Sequence, residues 1–172
     1  MVHVYPFRAV RPAPGKAEDI AAVPYDVVNA EEAHDIISQN PQSFLKISRS
    51  DALLPGKDPY SREVYELSRS IFDKYRSEGL FIQDELPALY VYRVHDGDKT
   101  YTGIACCADT REYESGEIRR HELTRYDKEE DRTNHIDIIN ANTGPVVLLH
   151  GSHQEIKKII NDAIADRSPD MV

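Results

Sequence analysis

ALYVYRVH-DGD-KTYTGIACCA, residues 88–108, is the stretch that decides the fold class. Two runs rich in Tyr, Val, Ile and Thr flank a turn whose central glycine supplies a positive φ, a pattern that predicts an antiparallel hairpin. Working outward toward the N-terminus, Val64, Leu67, Ile71, Phe72, Tyr75 and Leu80 keep helical spacing from Tyr60 onward. Gly79 falls where a helix ends in a left-handed residue. Asn29 is placed to cap a helix over residues 30–39, with Glu32 returning the bond to the cap backbone. Residues 43–48 alternate as a strand does, residues 49–59 read as a surface loop with two prolines and a glycine, and residues 3–10 read as an extended piece broken by the prolines that follow. Beyond the hairpin, Asp127 with Glu130 carries the capping-box signature of a helix from 128 to about 141. Residues 145–149, Pro-Val-Val-Leu-Leu, suit a buried strand, and Ile156, Ile159, Ile160 and Ile164 mark a last amphipathic helix. The expected architecture is α+β: an antiparallel-rich sheet with a central hairpin, flanked by about four helices, in a single domain over residues 1–172.

A chain of 172 residues fits that reading. At this size a globular chain buries roughly 70% of its unfolded surface, so no disulfide is needed for a core. Lys+Arg number 21 against Asp+Glu 30, a formal net charge of −9. An acidic chain lacks the broad electrostatic grip that nucleic acid or an anionic membrane requires, so an anionic ligand must be held locally. Mean hydropathy is −0.56, no stretch has the roughly 18 apolar residues of a spanning helix, and the N-terminus lacks a secretory apolar run. A cytoplasmic location is the expectation. Cys106 and Cys107 are adjacent, which neither a bridge between them nor a metal motif favours.

Chemistry concentrates in residues 111–137, with six Lys/Arg, nine Asp/Glu and two of the seven histidines. The plain reading is a solvated helix laced with ion pairs four residues apart. A sharper one follows from spacing. On a helix Lys128, Arg132 and His135 share one stripe, Asp131 and His135 lie one turn apart, and Ile136 and Ile139 form a neighbouring stripe for packing. The segment just before it places His121, Glu122, Thr124 and Arg125 in a loop. Arginine forks and a lysine point charge make Arg125, Lys128 and Arg132 a candidate phosphate or carboxylate cradle, joined by His121 and Thr124. Glu122, Asp131 and His135 are the candidates for proton transfer, each of the acids being equally suited to a salt bridge with those same arginines. Tyr25 and Asp26, at a turn before a helix, are secondary binding candidates. Histidine and carboxylate also suit zinc or iron, but the spacing matches no familiar zinc signature, and no metal is assigned. The dinucleotide, Walker and serine-hydrolase motifs are absent.

Several segments together resemble domain-of-unknown-function family 1015: Pro6-Phe7-Arg8-Ala9, Pro24-Tyr25-Asp26-Val27-Val28, Ser43-Phe44-Leu45, the strand from Ala88 to Arg93, and above all HELTRYDKEEDRTNH at 121–135 with NANTGPV at 140–146. The resemblance covers almost the whole chain in order, and members of that family are typically more than twice as long, so the chain is expected to be the N-terminal part of a longer protein. It implies a relationship to ParB-like proteins, a superfamily that includes nucleotide-binding partition proteins and kinases of free serine. The Asp-Gly-His-His-Arg motif on which that relationship rests is not in this sequence. What the resemblance implies is a nucleotide-dependent phosphotransferase acting on a small hydroxyl metabolite such as serine, using ATP or ADP with magnesium, to which this chain supplies an anion-binding site. The alternative is a non-catalytic regulatory module of the ParB-like kind that binds a nucleotide or metabolite. Either reading implies a small-molecule partner and no membrane, allows a homo-oligomer, and gives this segment no direct contact with nucleic acid.

Overall fold

The structure, a computed structural model, describes residues 2–121 and 123–171. They form two compact units, one comprising Met1–Arg11, Gln83–Leu123 and Ser152–Ser168, the other Pro12–Ile82, Thr124–Gly151 and Pro169–Val172. Strands β2 (Val10–Pro12) and β3 (Phe81–Gln83) contain two of the points where the chain passes from one unit to the other. The class is α+β, with helices joined to short antiparallel strand pairs.

The first unit holds the hairpin. Strands β4 (Tyr90–Asp96) and β5 (Lys99–Ala105) pair from Asp96↔Lys99 to Tyr90↔Ala105. The loop is the two residues Gly97-Asp98, and Gly97 takes φ +56, the sign that a primed hairpin turn requires at its first central position. Strand β1 (Val4–Tyr5) pairs antiparallel with β6 (Cys107–Ala108). The carboxylate of Glu112, on the short helix α5 (Thr110–Glu114), accepts the backbone N–H of His3 and bonds its Nδ1, which fastens this end of the chain. Helix α7 (Gln154–Ile164) forms where the isoleucine spacing places it, but buries none of its residues.

The second unit contains every buried hydrophobic side chain among the described residues. Helix α2 (Ala30–Gln39) begins as its sequence dictates: Asn29 Oδ1 accepts the N–H of Glu32 at 3.0 Å and Glu32 Oε2 accepts that of Asn29 at 2.8 Å. Its Ala33 and Ile37 pack with Leu45 and Ala52. Helix α4 (Arg62–Ser77) is closed by Gly79 at φ +72, with the Leu80 N–H reaching back to the Tyr75 carbonyl at 2.9 Å. Phe81 is buried among the rings of Phe44, Phe72 and Tyr75, at centroid distances of 6.2, 5.9 and 5.5 Å. The four-residue helix α1 (Ala17–Ile20) adds Ile20 to the core.

Four expectations are corrected. Residues 43–48 are not a strand, because Leu45–Ser48 form a helical turn, α3, with Leu45 and Ile47 fully buried. So short an apolar run fits a helical turn as well as a strand, and its periodicity alone does not decide between them. The loop over 49–59 begins with a 3-10 turn, Ser50–Leu53, that buries Ser50 and Ala52. Helix α6 (Tyr126–Ile139) starts two residues early, with Arg125 as N-cap, and Asp127 receives the Arg125 guanidinium instead of capping. Residues 145–149 form no strand, and Val146, Val147 and Leu149 are exposed by 82, 85 and 94%. Apolar residues suit a buried strand only when a neighbour supplies the ladder, and none of the described residues does.

This last contrast is measurable. Leu45→Ala should lower stability by about 2–5 kcal/mol, whereas Val147→Ser should stay within about 0.5 kcal/mol in urea unfolding. A large loss at Val147 would show that 145–149 is buried.

Candidate anion-binding site

Helix α6 has an unusual inward stripe. Asp131, His135 and Ile139, each four residues from the next, are the buried positions, so two of the three groups that pack against the unit are polar. Ile136, expected on the packing face, is at the surface.

Each buried polar group has a partner. Asp131 Oδ1 accepts the phenol O–H of Tyr65, on α4, at 2.9 Å, and Oδ2 accepts Nε and Nη2 of Arg132 at 3.1 and 2.8 Å. Burial first, then the bond to Asp131, pushes the Tyr65 phenol well above its ordinary range, so it stays a donor. His135 Nε2 lies 3.0 Å from the Ile47 carbonyl, an acceptor only, so Nε2 carries the proton. In the neutral ring Nδ1 then accepts from Thr143 Oγ1 at 3.3 Å. The Tyr65 and His135 rings meet edge to face at 6.2 Å. At the C-terminal end of α6, which closes on Asn140 in the left-handed conformation, Arg69 Nη1 donates to the Ile138 carbonyl at 3.2 Å.

The cations sit around this stripe. The Arg132 guanidinium lies over the Tyr25 ring, 4.4 Å from its centroid, and its Nη1 has no partner among the described residues. One turn earlier, Lys128 Nζ donates to the Tyr60 hydroxyl at 3.2 Å and lies 5.7 Å from that ring's centroid. Two cation–aromatic pairs therefore follow one another along α6.

Of the residues singled out from the sequence, Arg132 and Tyr25 are in contact, Lys128 is one turn from Arg132, and Asp131 and His135 anchor the helix from within. Arg125 is exposed and forked onto Asp127, at 3.1 and 2.6 Å. Thr124 and Asp26 are exposed, and His121 is exposed in the first unit. Glu122 lies outside the described residues. Sequence reasoning missed Tyr60, Tyr65 and Arg49. Tyr65 continues through Ser68, Phe72 and Tyr75 as the buried stripe of α4, a pattern that was available. Arg49 had no signal, since nothing in its neighbours marks a buried guanidinium.

Chemically, the arrangement presents cationic N–H donors over aromatic faces at the surface, beside a carboxylate and an imidazole that are already bonded. Among the described residues no group of three or more His, Cys, Asp or Glu side chains is placed to hold a metal ion, and no helix is long and apolar enough to cross a membrane.

What class of protein carries this arrangement is answered at family level. The model of the family described as protein of unknown function (DUF1015) matches residues 4–172. The chain belongs to that family. No curated protein and no solved structure matches it.

Burial lowers the His135 pKa below its ordinary 6.5. The unfolded chain then binds the proton more readily than the folded one, so stability present above pH 6.5 is lost as pH falls through and below that value. Unfolding followed from pH 7.5 to 5 should show this loss, and His135→Gln should flatten it. An equal slope in the variant would assign the loss to other groups.

Proposed function

We propose that this chain binds a phosphate-bearing small molecule through Arg132 and Lys128, and in that capacity supplies the anion-binding part of a nucleotide-dependent phosphotransferase acting on a small hydroxyl metabolite. The observation that carries this reading is Arg132 itself. Its Nε/Nη2 edge is fixed on Asp131, its face is fixed on Tyr25, and Nη1, which has no partner among the described residues, can bond an incoming oxyanion. A guanidinium held in this way binds an oxyanion without first ordering its own side chain. Lys128 adds a second charge one turn away, and the two tyrosine faces give a base or sugar a surface to rest on. Free serine with ATP or ADP and magnesium is the first substrate pair to try, and cytoplasmic chemistry is the setting the composition suits.

A second reading is favoured by a specific feature of the same site. Asp131 spends both oxygens and His135 both ring nitrogens on partners within the chain, which leaves neither poised to move a proton. On that reading the chain is a non-catalytic nucleotide- or metabolite-binding module of the ParB-like kind.

Thermal shift with ATP, ADP, CTP, serine and phosphoserine, with and without magnesium, tests the shared claim. A ligand at 100 times its Kd stabilises by about 2.7 kcal/mol. A phosphate-bearing ligand should raise Tm where serine alone does not, and Arg132→Ala should abolish the shift. No shift with any of them, or one that survives Arg132→Ala, contradicts the proposal. Phosphoserine formation from ATP and serine separates the two readings, because the regulatory one predicts binding without turnover.

A further inference from the structure

Tyr25, the ring beneath Arg132, belongs to a loop that is packed against the core through Val28 but exposed around the ring itself. Pro24, Asp26 and Val27 are exposed, Val27 by 63%. A loop so placed does not fix a ring by burial.

Arg49 supplies what the loop lacks. Its Nη1 donates to the Tyr25 carbonyl at 3.1 Å and also to the Val28 carbonyl, so one nitrogen holds the loop at two points three residues apart. Its Nε and Nη2 fork onto Asp51 at 3.0 and 2.9 Å. The side chains of Arg49 and Asp51 are only 17% and 14% exposed, so water competes little with these bonds. A lysine at this position would keep the charge, but one ammonium cannot span a carboxylate fork and two carbonyls.

We infer that Arg49 is the positioning residue of the anion-binding site: by holding the backbone at Tyr25 and Val28, it fixes the ring on which the Arg132 guanidinium rests. Its consequence for binding rests on the function proposed above, but the positioning itself is measurable with no ligand present.

The experiment is a double-mutant cycle of Tyr25→Leu and Arg132→Ala, read by urea unfolding in the wild-type and in the Arg49→Lys background, with inorganic phosphate titrated into the same proteins. In the wild type the pair should be coupled by roughly threefold to tenfold in the unfolding constant, and in Arg49→Lys the coupling should vanish. Phosphate affinity should fall roughly tenfold in Arg49→Lys, as when a charge-assisted contact is lost, and phosphate binding should be undetectable with Arg132→Ala in either background. Where Arg49→Lys fails to fold, Asp51→Asn weakens the fork while keeping the guanidinium, and the same cycle is run in that background.

Equal coupling in both backgrounds, or no coupling in the wild type, overturns the inference whatever phosphate does. Coupling that is lost with Arg49→Lys in a chain that never binds phosphate upholds the positioning and removes the anion-binding reading. Phosphate bound equally by wild type and Arg49→Lys, with coupling unchanged, does the reverse.

Discussion

Helix α6 can dock only if the Asp131 carboxylate is satisfied, and the rest of the site depends on that constraint. Burying an ionised carboxylate without partners costs several kcal/mol, far more than a single contact returns. Tyr65 and Arg132 meet that cost from opposite sides, one from within the unit and one from its surface. The same two bonds set the rotation of α6 about its axis. With Asp131 turned inward, His135 and Ile139 follow one and two turns later, His135 reaches the Ile47 carbonyl, and Arg132 and Lys128 come to lie along the rim. Helix docking and cation placement are thus one event.

This arrangement also explains how an acidic chain holds an anion. At net charge −9 the average field repels one. The local balance differs, because three acids of the same unit are paired with arginines: Asp51 with Arg49, Asp131 with Arg132 and Asp127 with Arg125. Arg132 keeps an Nη1 that has no partner among the described residues, and Lys128 is hydrogen-bonded to the Tyr60 hydroxyl. The acids therefore serve to orient the cations.

Much of this was legible in the sequence, and the exceptions have physical causes. The Asn29–Glu32 capping box, the Gly79 helix end and the Gly97 turn rest on backbone rules that act within a few residues, and all three appear where the residues place them. The misreadings came where long-range packing decides. Residues 43–48 alternate between buried and partly exposed positions, and so short an apolar run fits a helical turn as well as a strand. Residues 145–149 are apolar, but a strand needs a partner that the run cannot specify. The candidate site was legible as a set of residue types within 121–135. Its orientation was not, because the inward face of α6 is chosen by Tyr65 and Ile47, 66 and 88 residues away in sequence, and a stripe with two polar members looks like a solvated one.

The central claim is that the Tyr65–Asp131 bond docks α6 and thereby sets the cations. A double-mutant cycle of Tyr65→Phe and Asp131→Ala in urea unfolding tests it most directly. The account predicts a coupling of about 1.5–3 kcal/mol, the range for a hydrogen bond to a charged group. Additivity within about 0.3 kcal/mol would contradict it, since independent sites add to that precision, and would mean that α6 is held by its other contacts, Ile139, His135 and the Arg69 bond among them.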